Sequence, residues 1–266
     1  MVRYSVLASG STGNAIFVQT DTTNILIDAG MSGKQIESLM NEIGLSADCL
    51  DGILITHEHQ DHVKGAGVLS RRYKIPIFSN KNTWIGMEQA IGDVKEGYYE
   101  RFDTGDQVQI GNLAVQSFAI SHDSNEPVGF CINCGNTKLT IATDMGYVNQ
   151  KIKSFLTDSD AIIIEANHDV NMLRVGPYPW HLKQRILSDS GHLSNEAAGE
   201  LLADIITSNT QCIHLAHLSQ ENNLPELAHM TVKSILEEEQ FKVGQEFDLE
   251  LTYPNRPTKL RQIIRK

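Results

Sequence analysis

The run Gly52-Ile53-Leu54-Ile55-Thr56 followed by His57-Glu58-His59-Gln60-Asp61-His62 decides how this chain is read. The first five residues are mostly apolar and β-branched, the pattern of a buried strand. The next six place three imidazoles and a carboxylate at its exit. In near-extended backbone, residues two apart point the same way, so His57 and His59 can share one metal ion. Once the chain turns, Asp61 and His62 can face a second ion a few Å away. Neutral imidazole with carboxylate suits Zn²⁺ and Mn²⁺ alike, so the ligand chemistry leaves the metal open. A lone histidine is ordinarily a surface or core residue; three at this spacing beside an aspartate point to a metal centre.

Three further positions follow the same logic, each a ligand type at the end of an apolar strand. They are His122 in Ala119-Ile120-Ser121-His122-Asp123, Asp144 in Thr140-Ile141-Ala142-Thr143-Asp144, and His217 in Ile213-His214-Leu215-Ala216-His217. Strand ends converge at one edge of a sheet, so together these residues complete two coordination spheres. His168, His181, His214 and His229 read as structural or surface residues.

The 266 residues suffice for a large core, and 41% hydrophobic with 21% charged residues is ordinary for a globular enzyme. Strands are expected at Tyr4 to Ala8, Ala15 to Gln19, Asn24 to Asp28, Pro76 to Ser79, Leu113 to Ile120, Val128 to Asn133, Lys138 to Thr143, Ala161 to Glu165 and Cys212 to Ala216. Helices are expected after Ser32, over Val63 to Tyr73, Lys81 to Ile91, Asn149 to Leu156, Ser194 to Ile206 and Pro225 to Gln240. Runs of strands with helices after each half give an αββα sandwich, an α/β (α+β) fold of two mixed sheets, in a single domain over residues 1–266. There is no linker, low-complexity segment or short-period repeat. Ser9 to Asn14 is a tight turn without the lysine pattern of an ATP-binding loop.

Four cysteines make no disulfide framework, no stretch is apolar enough to span a membrane, and no signal-peptide core precedes the first strand; a cytoplasmic protein is expected. Cys131-Ile132-Asn133-Cys134 lacks a second pair and lies in a strand, so no metal or redox role is assigned to it. A net charge of −11 argues against bulk electrostatic grip on nucleic acid, though metal ions can bind phosphate directly. The basic residues are unevenly placed. Arg256, Lys259, Arg261, Arg265 and Lys266 form an acid-free tail, and Lys64, Arg71, Arg72 and Lys74 follow the histidine run, either as a solvated helix face or as phosphate contacts. Between Val170 and Ser188, Tyr178 and Trp180 interleave with His181, Lys183 and Arg185, a composition suited to stacking on bases and contacting phosphates. Trp180, Lys183 and Arg185, with Ser194 beyond them, are therefore the expected substrate contacts. Amphipathic helix packing is the rival reading of that segment, and helix capping that of Ser194.

His57-x-His59-x-Asp61-His62 with His122, Asp144 and His217 resembles the metallo-β-lactamase superfamily of dinuclear hydrolases over nearly the whole chain. The resemblance implies one ion on His57, His59 and His122, a second on Asp61, His62 and His217, and Asp144 bridging both. Antibiotic-cleaving members carry a cysteine where Asp144 stands, which argues against β-lactam hydrolysis. Glu165-Ala166 and Gly191-His192-Leu193-Ser194 are similar to elements of ribonuclease Z, where the histidine lies near the scissile phosphate and the glutamate orients it. Ser9 to Asn14, Tyr178 to Arg185 and Gly191 to Asn195 resemble the YycJ (WalJ) subgroup, associated with DNA exonuclease activity from the 5′ end. The short stretch between Asp144 and His192 leaves no room for the cap domain of the RNase J nucleases. The resemblance thus implies a metal-dependent phosphodiesterase, a 5′-to-3′ DNA exonuclease with two divalent ions, Zn²⁺ or Mn²⁺. A metal-bridging hydroxide would be its nucleophile, and Asp61, His192 and Glu165 its catalytic residues. DNA is favoured over RNA as substrate, and no membrane partner is expected. A glyoxalase II-like thioester hydrolase shares the ligand set, and a non-catalytic metal-binding regulatory protein is the reading from another class.

Overall fold

The structure is a computed structural model that describes residues 1–265; Lys266 of the basic tail lies outside the described residues. The chain first lays down β1 (Val2–Ala8), β2 (Ala15–Gln19), β3 (Asn24–Ile27), β4 (Gly52–Leu54), β5 (Ile77–Ser79) and β6 (Tyr99–Arg101). It then crosses to a second sheet with β7 (Gln107–Ile110), β8 (Leu113–Ala119), β9 (Val128–Cys134), β10 (Thr137–Ala142), β11 (Ala161–Glu165), β12 (Cys212–Ala216) and β13 (Asp248–Leu251). It returns to the first sheet with β14 (Arg261–Ile263). Each sheet has seven strands, ordered β14-β1-β2-β3-β4-β5-β6 and β13-β12-β11-β10-β9-β8-β7. Pairing is parallel from β3 to β6 and from β10 to β13, and antiparallel elsewhere.

The unbroken apolar runs of the central strands follow from burial on both faces. Leu54 and Ile163 point between the sheets, where Tyr4, Ile25, Phe130 and Ile141 meet, whereas Ile53, Ile55, Ile162 and Ile164 point outward under helices. Removing one such side chain from water contributes about 1.5–3 kcal/mol. The outer layer on the first sheet is α1 (Gly33–Glu42), α2 (Gln60–Val63), α3 (Ala66–Tyr73) and α4 (Lys81–Ile91). That on the second is α5 (Gln150–Leu156), α6 (Val170–Val175), α7 (Trp180–Ile186), α8 (Asn195–Ile205) and α9 (Pro225–Glu238). This is the expected αββα arrangement. Ser32 caps α1 in a reciprocal capping box with Gln35, and Asn149 and Ser194 cap α5 and α8.

The helix expected over Val63 to Tyr73 is instead two pieces. It starts earlier, so Asp61 and His62 ride on the first turn of α2, and it breaks where the Gly65 amide donates to Ala29 O at 2.7 Å. Strands β6, β7, β13 and β14 carry no expectation from sequence, being short, polar edge or near-edge segments without an apolar run. Cys131 and Cys134 lie on opposite faces of β9, one in the helix-side core and one against the inter-sheet core, so they cannot act as a pair. Among the described residues no helix is long and apolar enough to cross a membrane.

Gly30 fixes the seat of the histidine run, because a Cβ there would lie 1.6 Å from Asp61 O and 2.7 Å from Asn14 N. Gly30→Ala must displace the Asp61 turn, and overpacking of this kind costs about 1–3 kcal/mol or more. Thermal unfolding should show a clearly lowered midpoint; an unchanged midpoint would contradict this packing.

Candidate metal centre

Strands β3, β4, β10, β11 and β12 deliver Asp28, His57, Asp144, Glu165 and His217 just beyond or at their C-terminal ends. β8 runs with β10, since two antiparallel steps through β9 restore its direction, and it delivers His122 to the same end. Asp28, Asp144 and His217 all take left-handed backbone, with φ of 59°, 60° and 54°. Such φ values are uncommon outside glycine and turn each side chain sharply off its strand axis.

The sequence-derived ligands meet. His57 Nε2 lies 3.1 Å from His59 Nδ1, which is 3.3 Å from His122 Nε2. Asp61 Oδ2 lies 3.6 Å from both His62 Nε2 and His217 Nε2. Asp144 stands between the two groups, Oδ2 at 3.2 Å from His62 Nε2 and Oδ1 at 3.9 Å from His122 Nε2. In each of the triads His57-His59-His122, Asp61-His62-His217 and His57-His62-Asp144 the donor atoms fall within 4.8 Å of one another. Asp144 Oδ2 and His217 Nε2 are buried without hydrogen-bond partners, a costly condition that a cation between them removes. The donor set and these orphaned atoms fit divalent metal.

Supporting contacts choose which ring nitrogen faces inward. Asp28 Oδ2 accepts from His62 Nδ1 at 2.8 Å, and its carboxylate also accepts from the Thr56 amide at 2.9 Å. Glu165 Oε1 accepts from His217 Nδ1 at 3.0 Å and from His192 Nδ1 at 2.7 Å; Oε2 accepts from the amides of Met145 at 2.8 Å and Leu193 at 3.1 Å. In His62 and His217, Nε2 is left for the centre; in His192 it is left for whatever occupies the cleft. Asn14 binds the Asp61 backbone, its amide 2.8 Å from Asp61 O. Asp28 and Asn14 were missed from sequence, because one acid at a strand end and one turn asparagine resemble ordinary turn residues. A carboxylate within reach of a ligand imidazole is the signal that reveals Asp28, and it exists only in three dimensions.

Electrostatics follow from burial. Burial opposes the charge on Glu165, but the His192 imidazolium outweighs it and brings the carboxyl to about 2. Burial likewise opposes protonation of His192 and His217; Glu165 raises the first, and Asp144 leads in raising the second to about 10. His57 goes the other way, held well below the ordinary range by burial and by the His62 charge. The buried carboxylates draw positive charge onto the imidazoles around them, and metal binding displaces those protons.

The expected substrate contacts separate. Lys183 is buried and donates to Arg174 O and Gly176 O at 2.7 Å each, closing the C-terminus of α6; this corrects its reading as a phosphate contact. Arg185 reaches the cleft and is ion-paired with Asp123, which lies 3.4 Å from His122 Nε2. Trp180 is exposed on α7, and the Ser194 hydroxyl accepts from the Ala197 amide as the α8 cap. The segment is thus a helix, as its rival reading had it, with only one face turned to the cleft. Three arginines of the tail are engaged: Arg261 pairs with Asp248 and Glu250, Arg265 with Asp158, and Arg256 stacks on Tyr253. Arg71 donates to Ile91 O, and Arg72 pairs with Glu37. A cavity of about 180 Å³ opens beside the metal centre, lined by Ser11, Asp123, Tyr178, Leu182, Arg185 and His192.

Residues 23–215 match the beta-lactamase superfamily domain, and the chain belongs to the metallo-β-lactamase superfamily as a metal-dependent hydrolase. It is 47% identical to the exodeoxyribonuclease YycJ of Bacillus anthracis, covering 98% of this chain and 99% of that one. It is 43% identical to the exodeoxyribonuclease WalJ of Streptococcus pneumoniae, covering 98% of each. In fold it is similar to the metallo-β-lactamase fold protein YhfI of Bacillus subtilis, with a TM-score of 0.73 at 15% identity over 97% of this chain and 98% of that one.

Removing the carboxylate that orients a ligand imidazole typically costs about 10- to 100-fold in metal affinity. Asp28→Asn should show that loss in a chelator competition titration. Wild-type affinity in the variant would contradict the orienting role.

Proposed function

We propose that this chain is a 5′-to-3′ exonuclease of DNA, working in the cytoplasm with two divalent ions, Zn²⁺ or Mn²⁺. The reading rests on the Glu165–His192 pair, set at the rim of the donor cluster and opening into the cavity beside it. Two relatives named exodeoxyribonucleases, similar over almost their full lengths, support it.

His57, His59 and His122 would hold one ion, Asp61, His62 and His217 the other, with Asp144 shared. Bound metals would supply Lewis acidity that makes water nucleophilic at neutral pH and would neutralise charge building on the phosphate. Asp61 orients the attacking water and can take its proton. His192, protonated through Glu165, offers its Nε2 proton to the departing 3′-oxygen. Because His192 lines the cavity, the leaving nucleotide is the one seated there. His192 and Arg185 both line this space, so a terminal nucleotide seated there would meet the proton donor and a phosphate contact together. A departing 3′-oxygen on that nucleotide makes it the 5′-terminal one. Arg185 exchanges Asp123 for a substrate phosphate, and the exposed Trp180 offers a stacking surface on α7.

His192→Ala should keep its metal content and lose about 10²- to 10⁴-fold in turnover. Matched 5′- and 3′-labelled DNA and RNA would show release of the 5′ label first, and from DNA. A variant as fast as wild type, or initial release of the 3′ label, would overturn the assignment.

A further inference from the structure

A second group of donors is packed at the other end of β12. Cys212 and His214, two residues apart, both point from β12 into the space between the sheets, while Ile213 and Leu215 face the helices. Glu250 is the register partner of His214 on β13, and Tyr4 approaches from β1 in the opposing sheet. The Tyr4 hydroxyl is 2.9 Å and Cys212 Sγ 3.4 Å from His214 Nε2, and Glu250 Oε2 is 3.7 Å from Nδ1. One donor atom from each of Cys212, His214 and Glu250 falls within 4.8 Å of the others, the same closeness as in the main centre. Among the described residues this is the one such group that contains a thiol.

We propose that Cys212, His214 and Glu250 form a third metal site, separate from the catalytic centre, for a thiophilic divalent cation of the zinc class. The Tyr4 hydroxyl or a water completes the fourth position. Three observations carry this. The Sγ to Nε2 distance of 3.4 Å matches a tetrahedral zinc edge, about 3.5 Å for bonds of roughly 2.3 Å to sulfur and 2.0 Å to nitrogen. His214 Nδ1 makes no hydrogen bond, so Glu250 Oε2, 3.7 Å from it, is not committed to the imidazole and is free to turn to the ion. The charge is also unbalanced. Arg261, the register partner of Tyr4, binds Asp248 Oδ2 through both terminal nitrogens at 2.8 Å and meets the Oε1 oxygen of Glu250. Two carboxylates against one guanidinium leave a net negative charge, and a divalent ion with the Cys212 thiolate brings the cluster to neutrality.

Binding releases the thiol proton to solvent and involves no redox step. Burial pushes the free Cys212 thiol up to about 12, so without metal it is an inert core thiol, and affinity rises with pH as that proton becomes easier to lose. The ion would clasp edge strands β13 and β14 through their neighbours. Cys212 and His214 lie roughly 16 and 10 Å along β12 from His217, at about 3.3 Å per residue, too far for the ion to join the reaction.

Cobalt(II) separates this site from the catalytic one, whose donors are all nitrogen and oxygen. Titrating Co²⁺ into metal-free protein should produce a near-ultraviolet thiolate-to-cobalt charge-transfer band. The band should vanish in Cys212→Ser, persist in Cys134→Ser, and require at least about 10-fold more cobalt in Glu250→Gln. Cys212→Ser should retain DNA hydrolysis. No band in the wild type, or one that survives in Cys212→Ser, overturns the proposal whatever the nuclease assay shows.

Discussion

Asp144 and Glu165 are buried carboxylates placed side by side at the exits of β10 and β11, and the rest of the centre is arranged around that buried negative charge. Charge removed from water must be matched locally or it costs far more than a core can supply. Here the match comes from imidazoles arriving on other elements, His217 after β12, His62 on α2 and His192 ahead of α8, and from backbone amides aimed at Glu165. The same demand explains the left-handed turns at Asp28, Asp144 and His217: a strand that simply continued would carry each side chain past the shared point.

Glu165 joins the two functions of the site. One of its oxygens faces both His217, a member of the donor cluster, and His192, the residue set toward the cavity; the other is fixed by two main-chain amides. In the proposed mechanism, ligand geometry and proton donation are thereby tied to one rigid carboxylate. A substitution at Glu165 would disturb both, whereas His192 can be changed with the donor cluster left whole.

Much of this was legible in the sequence because the candidate ligands stand at or shortly after the ends of apolar strands, and exits of parallel-running strands gather at one edge. His57, His59, Asp61 and His62 announce themselves by spacing; His122, Asp144 and His217 do so by position after Ile120, Ala142 and Ala216. What escaped is what depends on partners distant in the chain. Asp28 gains its role only through contact with His62, thirty-four residues later. Lys183 looked free because nothing local shows that the carbonyls of Arg174 and Gly176 capture its ammonium. The contacts of buried His214 were hidden as well, since Tyr4 and Glu250 come from distant parts of the chain. The polar edge strands β6, β7, β13 and β14 failed the pattern test because pairing rather than side-chain burial defines them.

The central claim is that two donor triads bridged by Asp144 act as one dinuclear centre for phosphodiester cleavage. Stepwise addition of Zn²⁺ or Mn²⁺ to metal-free Cys212→Ser protein, with DNA hydrolysis followed at each step, tests it most directly. Activity should rise mainly with the second equivalent and be absent in Asp144→Ala at any loading. Full activity after one equivalent, or no hydrolysis after both are bound, would contradict the account.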